Sequence, residues 1–402
     1  MQVRGAADDV LAGALGKLEG AAGHAAPDMN AQEVANSWYA FATLGRTPQE
    51  TTWAALETAA ARVAPDMIPQ GVSNTLYAFA TLGKSPGAQT WAALEQTAAE
   101  TQVRAMTSQG VAATLWSYSA LQQMPGDRMW MALEDAAARV APGMIPQNVA
   151  NSVWAFASLG RTPDEKTWAA LTTAAARVSQ SSSPQHLTDM VWAFDALRTL
   201  RGVARPPCYA IVWDLVCGAA AADFTDAGLR ALFHAHLMHC FSGYGSDGSA
   251  AVEVAYPTWL ATEARDAWRG GVQESIAVPP SKSFQKLTRV FDDLGVRHEV
   301  DRVTDDGCFS MDIYLPAHDV AVVFDGPMQC YYKSDSDKTM TRTAKTELRD
   351  FFLAKQCTTL VTMSWFEFAK CTTSEKRWRY VKDTLAKQAG VEVVTEAVTP
   401  AS

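Results

Sequence analysis

Residues 36–65, NSWYAFATLGRTPQETTWAALETAAARVAP, have a pattern that recurs along the chain and indicates the architecture. Further copies start at Asn74, Ala113 (weaker), Asn151 and Asp189 (partial). Four tryptophans mark the step, at intervals of 38, 39 and 38 residues: Trp53, Trp91, Trp130 and Trp168. A repeat of this length is typical of a solenoid, in which each unit buries its apolar faces against the next.

Each copy predicts two helices. The first begins near a recurring glutamine (Gln32, Gln70, Gln109, Gln147, Gln185) and ends at a glycine (Gly45, Gly83, Gly160). Glycine can adopt the left-handed conformation that closes a helix. The second helix carries the segment Trp-Ala-Ala-Leu. We expect Thr47 and Thr162 to cap it, each with a glutamate three residues later in the capping-box spacing. The prediction is an α-solenoid of helix pairs of about 38 residues each.

Composition sets the broad class of the chain. Its 402 residues, 48% hydrophobic and 19% charged, predict two or three folded domains. Seven cysteines without a Cys-x-x-Cys pair favour a reduced compartment. We expect no membrane span, since Asp214 interrupts the best apolar run, and the early acidic pair argues against an intact transit peptide. The net charge of −9 does not by itself favour nucleic-acid binding.

The repeat opens its second helix with Pro-x-x-x-x-Trp-x-x-Leu, and in this it resembles the octotricopeptide repeat family of green algal organelles. The resemblance covers roughly residues 7 to 200. It implies sequence-specific binding of single-stranded RNA and a role in the stability, processing or translation of organelle transcripts. It also implies an organelle location, the chloroplast rather than the mitochondrion. Periodicity alone implies only a solenoid, so a protein-binding scaffold stays open as an alternative.

From Ser281 the pattern changes to short strands and helices. The apolar run Ala321–Asp325 predicts a strand buried on both faces. We also expect a helix at 345–356, a strand at 359–364 and a last helix at 374–389. The segments SMDIYLP (310–316), VAVVFDGPMQCYY (320–332), AKTELRDFFL (344–353) and VTMSWFEF (361–368) resemble the RAP domain, which also occurs in FAST-kinase-like RNA proteins. RAP domains are similar in fold to restriction-type endonucleases, so the resemblance implies a small α/β domain.

The sequence therefore predicts five regions. They are a partial repeat at 1–30, a repeat array at 31–200, a helical and loop bridge at 201–280, a RAP domain at 281–390 and a tail at 391–402.

The resemblance to nucleases also implies a set of catalytic candidates. Enzymes of that fold hold Mg²⁺ with two or three carboxylates and position the water with a lysine. The matching positions are Asp312, Asp325 and Lys345. The family pattern Glu-x-Asp-Gly-Pro-x-His has Val323 and Gln329 in place of its glutamate and histidine, so an oxygen ligand is missing. The nearest substitutes are Asp305, Asp306 and Glu347. We expect no active nuclease, no metal and no cofactor, and we expect Asp-Gly-Pro to form an ordinary turn; an RNA endonuclease is the remaining alternative.

A histidine cluster invites a metal hypothesis. His234, His236, His239 and Cys240 lie within one predicted helix, 226–240. No second pair of ligands follows at the usual spacing, and these residues fall on more than one helix face. We expect packed histidines rather than a zinc site.

Side chains that read RNA bases should vary between repeats while the framework stays fixed. Two positions, one and four residues after the glutamine, lie on one helix face. The first position holds Glu33, Gly71, Gly110, Asn148 and His186, and the second holds Asn36, Asn74, Ala113, Asn151 and Asp189. We expect both to face RNA bases. Alternatively, the recurring asparagine caps backbone between repeats, and only the first position reads RNA.

Two groups of cations partly offset the net negative charge. Arg46, Lys84 and Arg161 follow the first helices and predict a ladder of phosphate contacts, or else complement the helix dipoles. The last helix carries Lys376, Arg377, Trp378 and Arg379, which predict backbone contact and base stacking, unless they form a solvated face. A footprint of four or five bases is too short to specify one transcript, so we expect either other RNA-processing proteins as partners or additional amino-terminal repeats.

Overall fold

The computed structural model describes residues 2–241, 256–333 and 341–393. Residues 242–255 of the predicted bridge and the predicted tail beyond 393 lie outside these ranges. Within them the chain forms seventeen α-helices and seven strands. It divides into two compact units: one holds the chain up to Ala193 together with Pro206–Val212, and the other holds Phe194–Arg205, Trp213–Tyr331 and the residues from Thr341 on. None of the described helices is long and apolar enough to cross a membrane.

Helices dominate the first unit. A leading helix, α1, spans Gln2–Ala25. The first helices of four successive pairs are α2 (Ala31–Thr43), α4 (Pro69–Thr81), α6 (Ser108–Ala120) and α8 (Pro146–Ser158). Helix α10 (Pro184–Arg201) is the first helix of the partial fifth copy, which we call the fifth pair. The second helices are α3 (Glu50–Val63), α5 (Ala88–Thr97), α7 (Asp127–Val140) and α9 (Glu165–Val178), and a two-residue strand β1 (Gln123–Met124) follows α6.

These helices pack in two layers, as in a helical solenoid. In one layer α2, α4, α6 and α8 pack in series; in the other α1 packs on α3, α3 on α5, and α7 on α9. The recurring tryptophan of each second helix sits at the joint with the next pair. Trp53 lies with its ring centroid 5.6 Å from Phe79, Trp91 lies 5.0 Å from Tyr118, and Trp130 lies 5.0 Å from Phe156. Large aromatic rings in edge-on contact contribute both buried area and specific geometry.

The glycine ends of the first helices are confirmed. Gly45, Gly83 and Gly160 have φ of 59°, 65° and 64°, the left-handed region. In each case the following residue donates its N–H back to a carbonyl of the last turn, as from Arg46 to Phe41.

The predicted capping of the second helices is wrong. Helix α3 begins at Glu50 behind Gln49, whose side chain makes no capping bond, and α9 begins at Glu165 behind Asp164, which caps it. Both helices start two residues later than expected, and the N–H of the residue before each helix, Gln49 or Asp164, donates to a glutamate of an earlier helix. Four glutamates at repeat spacing each accept the N–H at the start of the next second helix: Glu19 from Gln49 (2.5 Å), Glu57 from Gly87, Glu95 from Gly126 (2.9 Å) and Glu134 from Asp164 (3.0 Å). We call these four residues the capping glutamates.

The second unit combines helices with a sheet. Its helices include α12 (Asp226–Phe241), α13 (Arg265–Ile276), α14 (Lys282–Asp293), α15 (Ala344–Leu353), α16 (Trp365–Lys370) and α17 (Ser374–Ala389), and α11 (Tyr209–Gly218) runs from one unit into the other. Its strands are β2 (Glu299–Val303), β3 (Ser310–Leu315), β4 (Val320–Asp325), β5 (Cys330–Lys333), β6 (Thr341–Arg342) and β7 (Thr359–Ser364). The main sheet has the order β2-β3-β4-β7, antiparallel except for the parallel pair β4–β7, and β5 pairs with β6.

Helices cover both faces of this sheet. Leu287 of α14 and Leu385 of α17 share a fully buried core with Ile313, Val322 and Val361 of the strands. A second cluster joins the sheet region to the bridge helices: Phe352 stacks on Phe309 at 5.2 Å, and His234 of α12 and Trp268 of α13 pack beside them. The buried strand predicted at 321–325, the strand 359–364 and the helix 374–389 are confirmed.

Candidate ligand groove of the repeat array and carboxylate cluster of the second unit

One face of each first helix carries three side chains at the spacing i, i+4 and i+7, which places them on the same side of a helix. The first row holds Gln32, Gln70, Gln109, Gln147 and Gln185, and the second holds Asn36, Asn74, Ala113, Asn151 and Asp189. The third holds Tyr39, Tyr77, Trp116, Trp154 and Trp192. We call them the glutamine row, the asparagine row and the aromatic row.

Two clefts open on this face. The first, of about 700 Å³, lies between α2 and α4 and is lined by Asn36 and Asn74. The second, of about 630 Å³, extends from α4 to α8 and is lined by members of all three rows: Gln70, Asn74, Tyr77, Gln109, Ala113, Gln147 and Asn151. The two clefts share lining residues, among them Gln70 and Asn74, and we call them together the groove. Four members of the asparagine row, from successive pairs, line this groove.

In the part of the chain that the structure describes, the asparagine side chains of the asparagine row form no hydrogen bonds with the protein. Among the residues that the structure describes, none bonds to the side chains of Asn36, Asn74 or Asn151, so they do not cap backbone between repeats. Each amide offers an acceptor oxygen and two donor hydrogens to a ligand. The fifth pair differs: one oxygen of Asp189 accepts a hydrogen bond from Gln185 at 2.8 Å, and burial raises the pKa of this carboxyl to about 6.

The aromatic row forms a nearly continuous track beside the amides. Ring centroids lie 6.2 Å apart between Tyr39 and Tyr77, 5.5 Å between Tyr77 and Trp116, and 6.4 Å between Trp154 and Trp192. Tyr39 is 41% exposed and the next three rings are half-buried, whereas Trp192 is buried. This row was not predicted from the sequence, because variation between repeats was taken as the mark of a position that reads a base. The repeat spacing of an aromatic three residues after each member of the asparagine row would have revealed it.

The position just after the glutamine has a different role at the two ends of the array. Glu33 accepts from the N–H of Asn30 at 2.8 Å, and its own N–H donates to the Asn30 side chain at 3.0 Å. His186 Nδ1 lies 3.3 Å from the N–H of Ser183, in the same arrangement. These two predicted base readers thus cap their own helices.

In the middle pairs the same position lies between adjacent first helices. A Cβ added at Gly71 would lie 3.6 Å from Ala35, and one at Gly110 would lie 3.4 Å from Ser73. Asn148 is buried and donates to Ser108 at 3.3 Å, although it also borders the second cleft. The asparagine row therefore has the better geometry for reading a ligand.

The predicted phosphate ladder consists of cations that already have partners. Each pairs with a carboxylate of the preceding second helix or of α1: Arg46 with Glu19 (3.0 Å), Lys84 with Glu50 (3.0 Å) and Arg161 with Asp127 (3.4 Å). Lys84 and Arg161 also lie over the rings of Trp53 and Trp130. A phosphate at these positions would have to compete with the carboxylates.

The groove itself carries little charge. None of the residues lining the second cleft is charged, within the part of the chain that the structure describes. The first cleft has Asp28, Asp66 and Arg62, and Arg62 donates to the carbonyl of Met29 at 2.7 Å. The groove face thus offers neutral hydrogen bonds and aromatic surface.

In the second unit, Asp325 is held by two arginines. One carboxylate oxygen accepts from Arg342 Nε at 2.9 Å, and the other accepts from Arg349 at 2.7 Å. Both arginines also pair with Asp350, at 2.6 and 2.8 Å. Two carboxylates and two guanidiniums form a closed cluster, in which bonding to charged donors strengthens each contact.

The other catalytic candidates surround this cluster without completing a metal site. Asp312 accepts from the N–H of Phe324 at 2.6 Å, and burial raises its pKa to about 6. Lys345 is exposed at the start of α15, and Val323 is buried in β4. Of the substitutes, Asp306 bonds to its own loop, Glu347 pairs with Arg201 at 2.6 Å, and Asp305 lies 3.6 Å from Arg302. No group of three or more His, Cys, Asp or Glu side chains in the described ranges is arranged to hold a metal.

The segment after Asp325 is a turn, as predicted. Gln329, at the histidine position of the family pattern, accepts from the N–H of Gly326 at 3.1 Å and closes a 3₁₀ turn over Pro327–Gln329.

The histidines of α12 fall into two groups: His236 and His239 both contact Tyr256, whereas His234 packs against other rings. His239 lies between Asp195 at 2.7 Å and the hydroxyl of Tyr256 at 3.0 Å. Burial, together with the charge of Lys345, lowers the pKa of His234 to about 3. His236 lies 3.5 Å from the Cys240 sulfur. The side chains thus belong to different contacts rather than to one ligand set.

The predicted patch on α17 is only partly exposed. Trp378 packs against the core and donates to Asp293 at 3.3 Å, and Arg377 donates to the carbonyl of Cys371 at 2.9 Å. Lys376 and Arg379 are exposed. The patch therefore offers two cations, while its tryptophan serves the fold.

Comparison with protein-family models and with curated proteins finds no match to this chain. The octotricopeptide and RAP resemblances therefore rest on the motifs quoted above, and the sites rest on geometry.

Proposed function

We propose that the repeat array binds single-stranded RNA along the groove, with about one base for each helix pair. The observation that carries this proposal is an unbonded asparagine amide beside an aromatic ring in three of the five pairs, at Asn36, Asn74 and Asn151. Repeat proteins read RNA with a few side chains per repeat, through base edges that are unpaired. Aromatic rings stack on any base. Duplex RNA hides both the edges and the faces of its bases, so the separated strands should bind more tightly.

We infer further that the protein is a non-enzymatic factor for organelle transcripts, as the octotricopeptide and RAP resemblances imply. It would act on RNA stability, processing or translation by occupying its site, in the chloroplast rather than the mitochondrion. The arginine pairing of Asp325 supports a non-catalytic second unit, because a metal would have to displace two guanidiniums from that carboxylate.

The test is the affinity of aromatic-row variants for single-stranded RNA. Stacking contributes about 1–3 kcal/mol per base, so Tyr77→Ala and Trp116→Ala should each weaken binding roughly 5- to 150-fold. Met131→Ala is a matched control, since Met131 is an apolar side chain that is 60% exposed on the second helix α7. RNA affinity unchanged in the aromatic-row variants, or equal for duplex and separated strands, would contradict the proposal.

The lack of charge in the groove favours a second candidate, a scaffold that binds an extended peptide. Phosphate contacts require cations and make RNA affinity fall steeply with salt. Amides, in contrast, can bond to a peptide backbone without any charge. The test compares the effect of Asn74→Ala on peptide binding and on RNA affinity. Loss of peptide binding with unchanged RNA affinity would support the scaffold and exclude RNA from the groove.

A further inference from the structure

The fifth pair departs from the others at the asparagine row. It has Asp189 where three pairs have asparagine, and Gln185 of the same helix turn donates to that carboxylate at 2.8 Å. The third pair departs in the opposite sense, because Ala113 has no polar atom to offer. The row is therefore not uniform, and its two exceptions lie two pairs apart.

The Asp189 carboxylate has unused bonding capacity. An ionised carboxylate offers about four acceptor sites, and the Gln185 amide occupies one of them. Within the described ranges, no arginine or lysine forms a salt bridge with it. A half-buried carboxylate without a cation is costly unless donors are supplied, so this position favours a ligand that brings N–H groups.

We propose, on the basis of RNA binding in the groove, that Asp189 and Gln185 select guanine at the base facing the fifth pair. The Watson–Crick edge of guanine presents two adjacent donors, N1–H and the N2 amino group, next to the acceptor O6. The two carboxylate oxygens accept from both donors, and the Gln185 amide donates to O6. Uracil, cytosine and adenine each present only one donor on that edge. Asparagine has one acceptor oxygen, so the other pairs cannot match guanine in this way.

The third pair supplies a register mark. Ala113 leaves the base at the third pair without a partner in the asparagine row. The groups left to contact it are Trp116, whose stacking is tolerant of sequence, and the Gln109 amide, which can both donate and accept. The bound sequence should therefore have guanine at one end, with an unspecified base two positions away.

The experiment is selection of bound sequences from a randomised single-stranded RNA pool by the full chain and two variants. It is run at pH 8, where a carboxyl with a pKa of about 6 is ionised. Wild type should enrich a terminal guanine, and replacing that guanine with inosine, which lacks the N2 amino group, should weaken binding roughly 10- to 150-fold. Asp189→Asn should replace the guanine with the base found opposite the asparagines. The reciprocal change Asn151→Asp should add a second guanine next to the first.

Each failure has a separate meaning. Wild type that binds no RNA would overturn the proposed function itself. RNA binding with no terminal guanine, or with a guanine that persists in Asp189→Asn, would overturn the assignment of Asp189 while leaving RNA binding intact. Circular dichroism of the near-isosteric Asp189→Asn and Asn151→Asp proteins checks that a changed preference is not due to unfolding.

Discussion

Replacing Glu57 with alanine should destabilise the array by about 1.5–5 kcal/mol, because this capping glutamate holds two donors from different helix pairs. One oxygen accepts the N–H of Gly87 at the start of α5, and the other accepts the indole N–H of Trp53 at 2.7 Å. Loss of a helix cap costs about 0.5–2 kcal/mol. Trp53 is buried, so its unsatisfied N–H adds about 1–3 kcal/mol.

Urea unfolding, followed by tryptophan fluorescence and by circular dichroism, measures the loss. Glu50→Ala is the control, since Glu50 begins the same helix, is 85% exposed and makes only a surface ion pair with Lys84, worth at most about 1 kcal/mol. In a Trp53→Phe background the Glu57→Ala change should cost less, because the indole donor is already absent. Equal unfolding midpoints for Glu57→Ala and Glu50→Ala would show that the capping glutamate does not stabilise the array.

Three further outcomes are expected. The free energy of unfolding should fall by roughly 1.4 kcal/mol per pH unit as the pH drops from 6.5 towards 3, because His234 binds a proton in the unfolded state but not in the folded state. Urea unfolding midpoints should therefore depend less on pH in His234→Leu. Phe352→Ala should destabilise the second unit by about 3–5 kcal/mol, seen as an earlier unfolding transition, since Phe352 is fully buried against Phe309. Purified protein should not cleave single-stranded RNA in the presence of Mg²⁺ or Mn²⁺ and should still bind it in EDTA. If cleavage is seen, and both Asp312→Asn and Lys345→Ala abolish it while keeping RNA binding, the protein is an enzyme.

The features that the sequence predicted correctly depend on local signals. Gly45, Gly83 and Gly160 end their helices through their own backbone freedom, and the buried strand at 321–325 is visible as an unbroken apolar run. The contacts that escaped prediction join distant residues. The cap of α3 comes from Glu19, 30 positions upstream, and Asp325 is bound by arginines 17 and 24 positions downstream. Spacing carries no information about such partners until the chain is folded.

The candidate site was also predictable where it depends on local spacing, and not where it depends on contacts between helices. The asparagine row was predicted because helical spacing places it on one face. The asparagine row is more accessible to a ligand than the position just after each glutamine. This difference depends on packing, because Gly71 and Asn148 are buried only once adjacent first helices come together.

The capping glutamates give the array a polarity along the chain. Helices α5, α7 and α9 each receive their acceptor from the second helix of the pair before, and α3 receives its acceptor from Glu19 of α1. Deleting pairs from the amino-terminal end therefore removes an acceptor from every new first pair, whereas shortening the array from its other end leaves the remaining caps intact. During synthesis, the amino-terminal pairs leave the ribosome first, so each second helix that emerges meets an acceptor already in place.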